Sequence, residues 1–171
     1  MKKLMVMTMT MIMGLTFGAG AAVKQGEAAP DFSATSTKGE AKLADYKGKW
    51  LVVYFYPKSF TGGCTKESCS LRDGYGDIQK TGAEILGVSC DDLEKQKKFK
   101  EEYKLPFELI ADTDKKVTKA YDVLMVGGMM SARYTFIINP DGKIAHVFDK
   151  VNTASHKDEV LEQLQKLQAA K

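Results

Sequence analysis

Residues 50–56, Trp-Leu-Val-Val-Tyr-Phe-Tyr, form an unbroken apolar run that stops at Pro57. Its β-branched and aromatic composition reads as a buried strand. A strand with no polar side requires cover on both faces, which points to a sheet-centred fold. Beyond Pro57 the chain passes through a loop ending in Gly62-Gly63 and delivers Cys64 to the start of a helix, with Cys69 five residues later. Backbone donors and the positive helix end then face the Cys64 sulfur and stabilise negative charge on it.

The segments around that strand set the architecture. Residues 23–31 are small and polar, an extended lead-in ending in Ala29-Pro30-Asp31. Residues 32–35 and 41–43 flank Lys38-Gly39 and predict a short hairpin. After Cys64, Leu71, Tyr75 and Ile78 fall at helical spacing up to Lys80, and Thr81-Gly82 closes the helix. Residues 84–89 read as a second buried strand. Asp91-Asp92 caps a helix over 93–103, which Pro106 terminates. Residues 107–110 predict a strand, and Thr113 a cap for a helix running through Tyr121. Residues 124–130 are apolar but contain Gly127-Gly128, so a mobile loop is expected there rather than a strand. Residues 134–138, a turn over 139–142 with Asn-Pro-Asp-Gly, and residues 143–148 make the clearest hairpin. A last helix places Val160, Leu161, Leu164 and Leu167 on one face. The order is a hairpin, then β-α-β-α-β-α, then a hairpin and a helix. Parallel neighbours joined by right-handed crossovers, with an antiparallel edge, follow from it. The fold class is α/β: a mixed sheet flanked by helices in the manner of a thioredoxin fold, with an N-terminal hairpin extension.

The first 22 residues read differently. Lys2-Lys3 precede an apolar, Met-rich run over 4–17, and Ala19-Gly20-Ala21 supplies a small-x-small cleavage site. The run is short for a membrane span, so a secretory signal is expected, the alternative being an uncleaved anchor. Cleavage after Ala22 leaves residues 23–171 as one domain and implies a periplasmic or secreted protein without stable membrane association. The signal holds two of the lysines and no acid, so the remainder carries +1 rather than the full chain's +3. A near-neutral chain without a basic tract gives no support for nucleic-acid binding.

Three cysteines in an exported chain permit one pair and leave one over. If Cys64 and Cys69 share a helix, five residues rise about 7.5 Å and turn about 500°, setting their Cα atoms about 8.6 Å apart. A disulfide needs less than about 7 Å. Bonding them therefore requires the first turn or two of the helix to unwind, which gives a folded dithiol and a locally melted disulfide. Thr61 can set a hydroxyl beside the sulfur or bond an oxygen approaching it. Pro57, with no N–H, can shield the sulfur from water. The chain has two arginines, Arg72 and Arg133. Arg133 opens the strand over 134–138, where an adjacent strand can aim its guanidinium at Cys64 and orient a two-oxygen substrate by forked donation. A surface ion pair is the competing reading for either arginine, and the stronger one for Arg72.

Pro57, Thr61, Cys64, Cys69 and distant Arg133 together resemble the active-site pattern of peroxiredoxins, most closely the subgroup typified by bacterioferritin comigratory protein. Ala29-Pro-Asp-Phe32, Leu86-Gly-Val-Ser89, Thr135-Phe-Ile-Ile138 and residues 141–148 follow the family's usual order as well. The resemblance implies a thiol peroxidase in which Cys64 is oxidised by hydrogen peroxide or organic hydroperoxides. Cys69 then resolves the sulfenic acid as an intramolecular disulfide, and a thioredoxin-like dithiol regenerates both thiols. It implies no metal or other cofactor, and a monomer or weak dimer. Two departures stand out: Gly62 occupies a position where the family often has proline, and the export signal is atypical for a mostly intracellular subgroup.

Other residues carry less. Cys90 ends a strand beside Asp91-Asp92 and reads as an inert buried thiol or, if exposed, an alternative disulfide partner. His146, expected at the surface, and His156 have no metal-ligand spacing with a cysteine. Met125, Met129 and Met130 read as core or collar packing, or as a soft rim suited to bulky hydroperoxides. Two other functions share the fold class. A disulfide oxidoreductase favours Cys-x-x-Cys, and an exported copper-binding protein favours Cys-x-x-x-Cys with a distal histidine; neither spacing is present.

Overall fold

A computed structural model of the chain describes residues 23–170; the expected signal over 1–22 lies outside the described residues. The strands are β1 (Ser33–Ser36), β2 (Gly39–Lys42), β3 (Trp50–Phe55), β4 (Ala83–Ser89), β5 (Glu108–Ala111), β6 (Tyr134–Ile138) and β7 (Ile144–Phe148). The helices are α1 (Gly62–Lys80), α2 (Leu93–Glu102), α3 (Lys116–Ala120) and α4 (His156–Ala169). The seven strands form one sheet in the order β2-β1-β5-β4-β3-β6-β7. β3, β4 and β5 run parallel, and β6, β7, β1 and β2 join antiparallel on either side. This is the mixed sheet of a thioredoxin fold, with β1–β2 as the expected hairpin extension.

The central apolar run becomes β3, and all six of its residues are buried. Its side chains alternate between two cores. On one face Tyr54 meets Cys64, Leu71 and Ile78 of α1, Phe99 of α2, and Val160 and Leu164 of α4. On the other, Phe55 meets Leu86, Val117, Tyr121 and Phe136 beneath α3. The two βαβ crossovers put α1 and α2 on the same face, as right-handed connections between successive neighbouring strands require. Gly87 of β4 stands beside Tyr54, and a Cβ there would lie 2.8 Å from the tyrosine ring and 2.6 Å from Leu109. The missing side chain lets the ring lie across the sheet and carry its hydroxyl to Ser68 of α1, 3.1 Å away.

Two local expectations are corrected, and one histidine finds partners that its sequence neighbours do not show. The helix expected after Thr113 begins at Lys116, because buried Asp112 provides the cap, accepting from the backbone N–H of Val117 and Thr118. The apolar segment before Arg133 is a loop, as expected, yet it is pinned by a Leu124–Ser131 bridge and a Met125 N–H to Met130 carbonyl bond. His156, isolated in sequence, is fully buried at the start of α4, with Nε2 2.8 Å from Thr135 Oγ1 and Nδ1 2.9 Å from Glu159. Among the described residues no helix is long and apolar enough to cross a membrane.

Candidate active site

α1 starts at Gly62, so Cys64 lies in its first turn, where backbone N–H groups have no helical partner of their own. Thr61 is the N-cap residue in extended conformation, and its carbonyl accepts from Thr65 N–H at 2.8 Å. The Thr61 hydroxyl donates to the Lys58 carbonyl at 2.8 Å, which commits its proton and leaves its oxygen as an acceptor. Pro57 is half-buried at the start of the same loop. Phe60, just before Thr61, holds φ at 68° and is fixed by edge-on packing against Phe99 with centroids 5.1 Å apart. A bulky residue in the left-handed region is strained, so this loop is held in place by its neighbours.

Those neighbours form a buried polar network. Asp91, at the end of β4, accepts from Ser59 N–H at 2.7 Å and pairs with Lys95. Gln96 of α2 accepts from Tyr56 Oη at 2.5 Å and Ser59 Oγ at 3.1 Å, and donates to Ser89 Oγ and the Ile110 carbonyl. The loop feeding Cys64 is thereby bound to the ends of β3, β4 and β5 and to α2.

Arg133 arrives by topology. β6 is antiparallel to β3 with Tyr134 paired to Phe55, so the residue before β6 lies beside the loop that follows β3. Its Nη2 donates to Cys64 Sγ at 3.3 Å. A Cβ on Gly63 would come within 3.3 Å of that nitrogen, so the second glycine gives the guanidinium its approach. The charge-assisted contact stabilises negative charge on the sulfur. Cys64 itself is 1% exposed, whereas Cys69 is half-buried on the same helix, and both are free thiols.

The same guanidinium also pairs through Nη1 with Glu67 Oε2, a partner the sequence reading missed. Glu67 is fully buried, and its other oxygen, Oε1, has no hydrogen-bond partner among the described residues. Burial pushes the carboxyl up to about 7, outweighing the pull of Arg133 in the other direction. Its register offered a signal: residues 64, 67, 71 and 78 share one helical face, and the other three are core.

The remaining candidates fall elsewhere. Arg72 pairs with Asp73 and donates to the Tyr103 carbonyl, away from Cys64's partners. Cys90 is half-buried against Thr118 Oγ1 at 3.7 Å, on the α3 face of the sheet rather than the α1 face. Burial raises its thiol, and the Asp112 carboxylate adds to the rise. His146 is half-buried beside Phe148 on β7. Met125 and Met129 are exposed in the pinned loop, 43% and 74% respectively, rather than in the core.

The AhpC/TSA family model matches residues 25–147. Peroxiredoxin Bcp of Escherichia coli strain K12 is 40% identical over 146 residues, covering 81% of this chain and 94% of that protein. The chain belongs to the AhpC/TSA family. Among solved structures, it is similar to Xanthomonas campestris peroxiredoxin Q, with a TM-score of 0.76 and 34% identity over 85% of this chain and 97% of that one. It is also similar to the Xanthomonas campestris bacterioferritin comigratory protein described for alkyl peroxide reduction, with a TM-score of 0.77 and 33% identity over 88% of this chain and all of that one. The AhpC/TSA match runs from the segment before β1 to β7 and includes every residue of the Cys64 site described above.

Proposed function

We propose that the chain is a thiol-dependent peroxidase acting on hydrogen peroxide and organic hydroperoxides through Cys64, with Cys69 as the resolving thiol. The observation that carries the reading is the Arg133 guanidinium on the Cys64 sulfur, in the first turn of a helix that also bears Cys69. Peroxiredoxin relatives and the alkyl peroxide activity named for the Xanthomonas campestris protein support the substrate class.

The Cys64 thiolate attacks the terminal oxygen of ROOH, the O–O bond breaks, and the sulfur becomes Cys–SOH while RO⁻ takes a proton and leaves as ROH. Arg133 opposes the charge as it moves from sulfur to leaving oxygen, and the Thr61 oxygen accepts from the peroxide O–H. Pro57 contributes no donor and limits water at the sulfur. The start of α1 then melts, Cys69 sulfur displaces hydroxide from the sulfenic sulfur, and water leaves with formation of the Cys64–Cys69 disulfide. An external thioredoxin-like dithiol reduces that bond by exchange and is itself oxidised. The reaction needs no cofactor. The segment 1–22 acts as a secretory signal, so the working compartment is periplasmic or extracellular and the reductant must reside there; the mature protein is a monomer or weak dimer.

Peroxide consumption with dithiothreitol tests the assignment. Cys64→Ser is expected to be inactive, and Cys69→Ser to form no intramolecular disulfide and to turn over only because dithiothreitol reduces its sulfenic acid directly. Full activity in Cys64→Ser refutes the mechanism.

A further inference from the structure

The helix that carries both thiols is held unevenly. Beyond Cys69, Ser70 Oγ accepts from Lys157 N–H at 3.2 Å, and a Cβ on Gly74 would sit 2.6 Å from the Lys157 side chain, so α1 and α4 are in close contact from that point on. Before Gly62, Ser59 is bound to Asp91 and Gln96. These two anchors bracket residues 60–69 as the stretch that can unwind while the rest of the fold stays in place. Within it, two adjacent glycines open the helix, and the contacts that resist are Phe60 on Phe99 and Tyr103, Cys64 in the core beside Tyr54, Ser68 on Tyr54, and the Arg133 contacts to Cys64 and Glu67.

Glu67 is the member of that set whose environment changes most on melting. In the closed helix it has one oxygen on Arg133 and one buried without a partner; in the melted segment both reach water. We propose that Glu67 is the latch of the moving helix: its protonated form holds residues 60–69 closed, and its ionisation drives the melting that lets Cys69 reach Cys64. The inference rests on the peroxidase reading above and assigns Glu67 a positioning role, exerted through Arg133.

The charges facing Glu67 are consistent with a latch. Arg133 at the start of β6 attracts the carboxylate and Glu159 of α4 opposes it, while burial pushes the His156 imidazole of α4 below its ordinary value and the Tyr54 phenol of β3 above its own. Cys64, on Glu67's own helix, competes for the same guanidinium, so a neutral Glu67 leaves the full Arg133 charge to the sulfur. The closed form holds the Glu67 proton up to about pH 7, against an ordinary value of 4.5 once exposed. Closure is therefore fully favoured below the ordinary value and is lost as pH rises through about 7, because opening releases a proton across that window.

Hydrogen–deuterium exchange of the reduced full chain, without peroxide, tests this directly. Opening constants for residues 62–70, after division by the intrinsic exchange rate at each pH, are expected to rise about tenfold or more from about pH 5 to about pH 8. Glu67→Gln, which keeps an amide on Arg133 but cannot ionise, is expected to flatten that rise. A flat wild-type profile overturns the latch even if the variant fails to fold, and so does an unchanged slope in a folded Glu67→Gln. Failure of the peroxidase reading would appear instead as absent peroxide turnover with the pH-dependent opening intact.

Discussion

Arg133 serves two partners, the Cys64 sulfur and the Glu67 carboxyl group, with separate nitrogens of one planar group. Lysine offers one compact charge on a flexible stem and lacks the rigid fork that sets two donors at fixed spacing for both partners. Arg133→Lys is therefore expected to slow the first oxidation of Cys64 by about a hundredfold, the scale on which loss of one preorganised donor acts. Rapid mixing of reduced protein with peroxide checks this, and an unchanged rate contradicts the role. The thiols, Thr61 and Arg133 were legible because their residue types and spacing are informative by themselves. Glu67 was not, since a glutamate between Lys66 and Ser68 looks like any solvated helix residue. Only its place on the face shared with Leu71 and Ile78 marks it as buried. Thr61 shows the converse limit: its type and position suggested a hydroxyl near the sulfur, but not that its proton is already given to the Lys58 carbonyl.

At the scale of the element, α1 is a helix whose first turns are weak by construction. Gly62 is its first residue, its position has open space around it, and Thr61 before it already has the extended backbone that a following proline requires. Proline suits a first helical position because the N–H it lacks has no helical partner there. Gly62→Pro is thus expected to stabilise closed α1 by about 1 kcal/mol, mostly by restricting the melted chain. Disulfide formation after a single oxidation should slow about fivefold. A longer-lived sulfenic acid meets more peroxide, so sulfinic acid at Cys64 should increase at high peroxide, a change that mass spectrometry of the Cys64 peptide reads. Equal rates and equal sulfinic yield in the two proteins would contradict the account of α1. The sequence showed this helix because Leu71, Tyr75 and Ile78 keep its period. The late start of α3 was hidden, because Asp112 caps it from the end of the preceding strand across a left-handed Lys115.

At the scale of the whole molecule, the site exists because of strand direction. β3 and β4 run parallel and end together, which places the Cys64 loop beside Asp91 and α2; β6 runs the other way and begins where β3 ends. That is how residues 64 and 133 meet across the sequence, and the order of strands and helices made it inferable once the last hairpin was recognised. The side of the sheet on which Cys90 falls was less accessible to sequence, since it depends on the register of β4 at its last residues. The structure puts Cys90 against Thr118 under α3, while Cys64 and Cys69 share the opposite layer. The fold thus permits one pairing by local melting of α1 and disfavours the other two. Oxidation of the reduced chain with one equivalent of peroxide, followed by alkylation and peptide mapping, examines that claim most directly. The account predicts a Cys64–Cys69 disulfide within one chain and an alkylated Cys90. A bond from Cys64 to Cys90, or between chains, would contradict it.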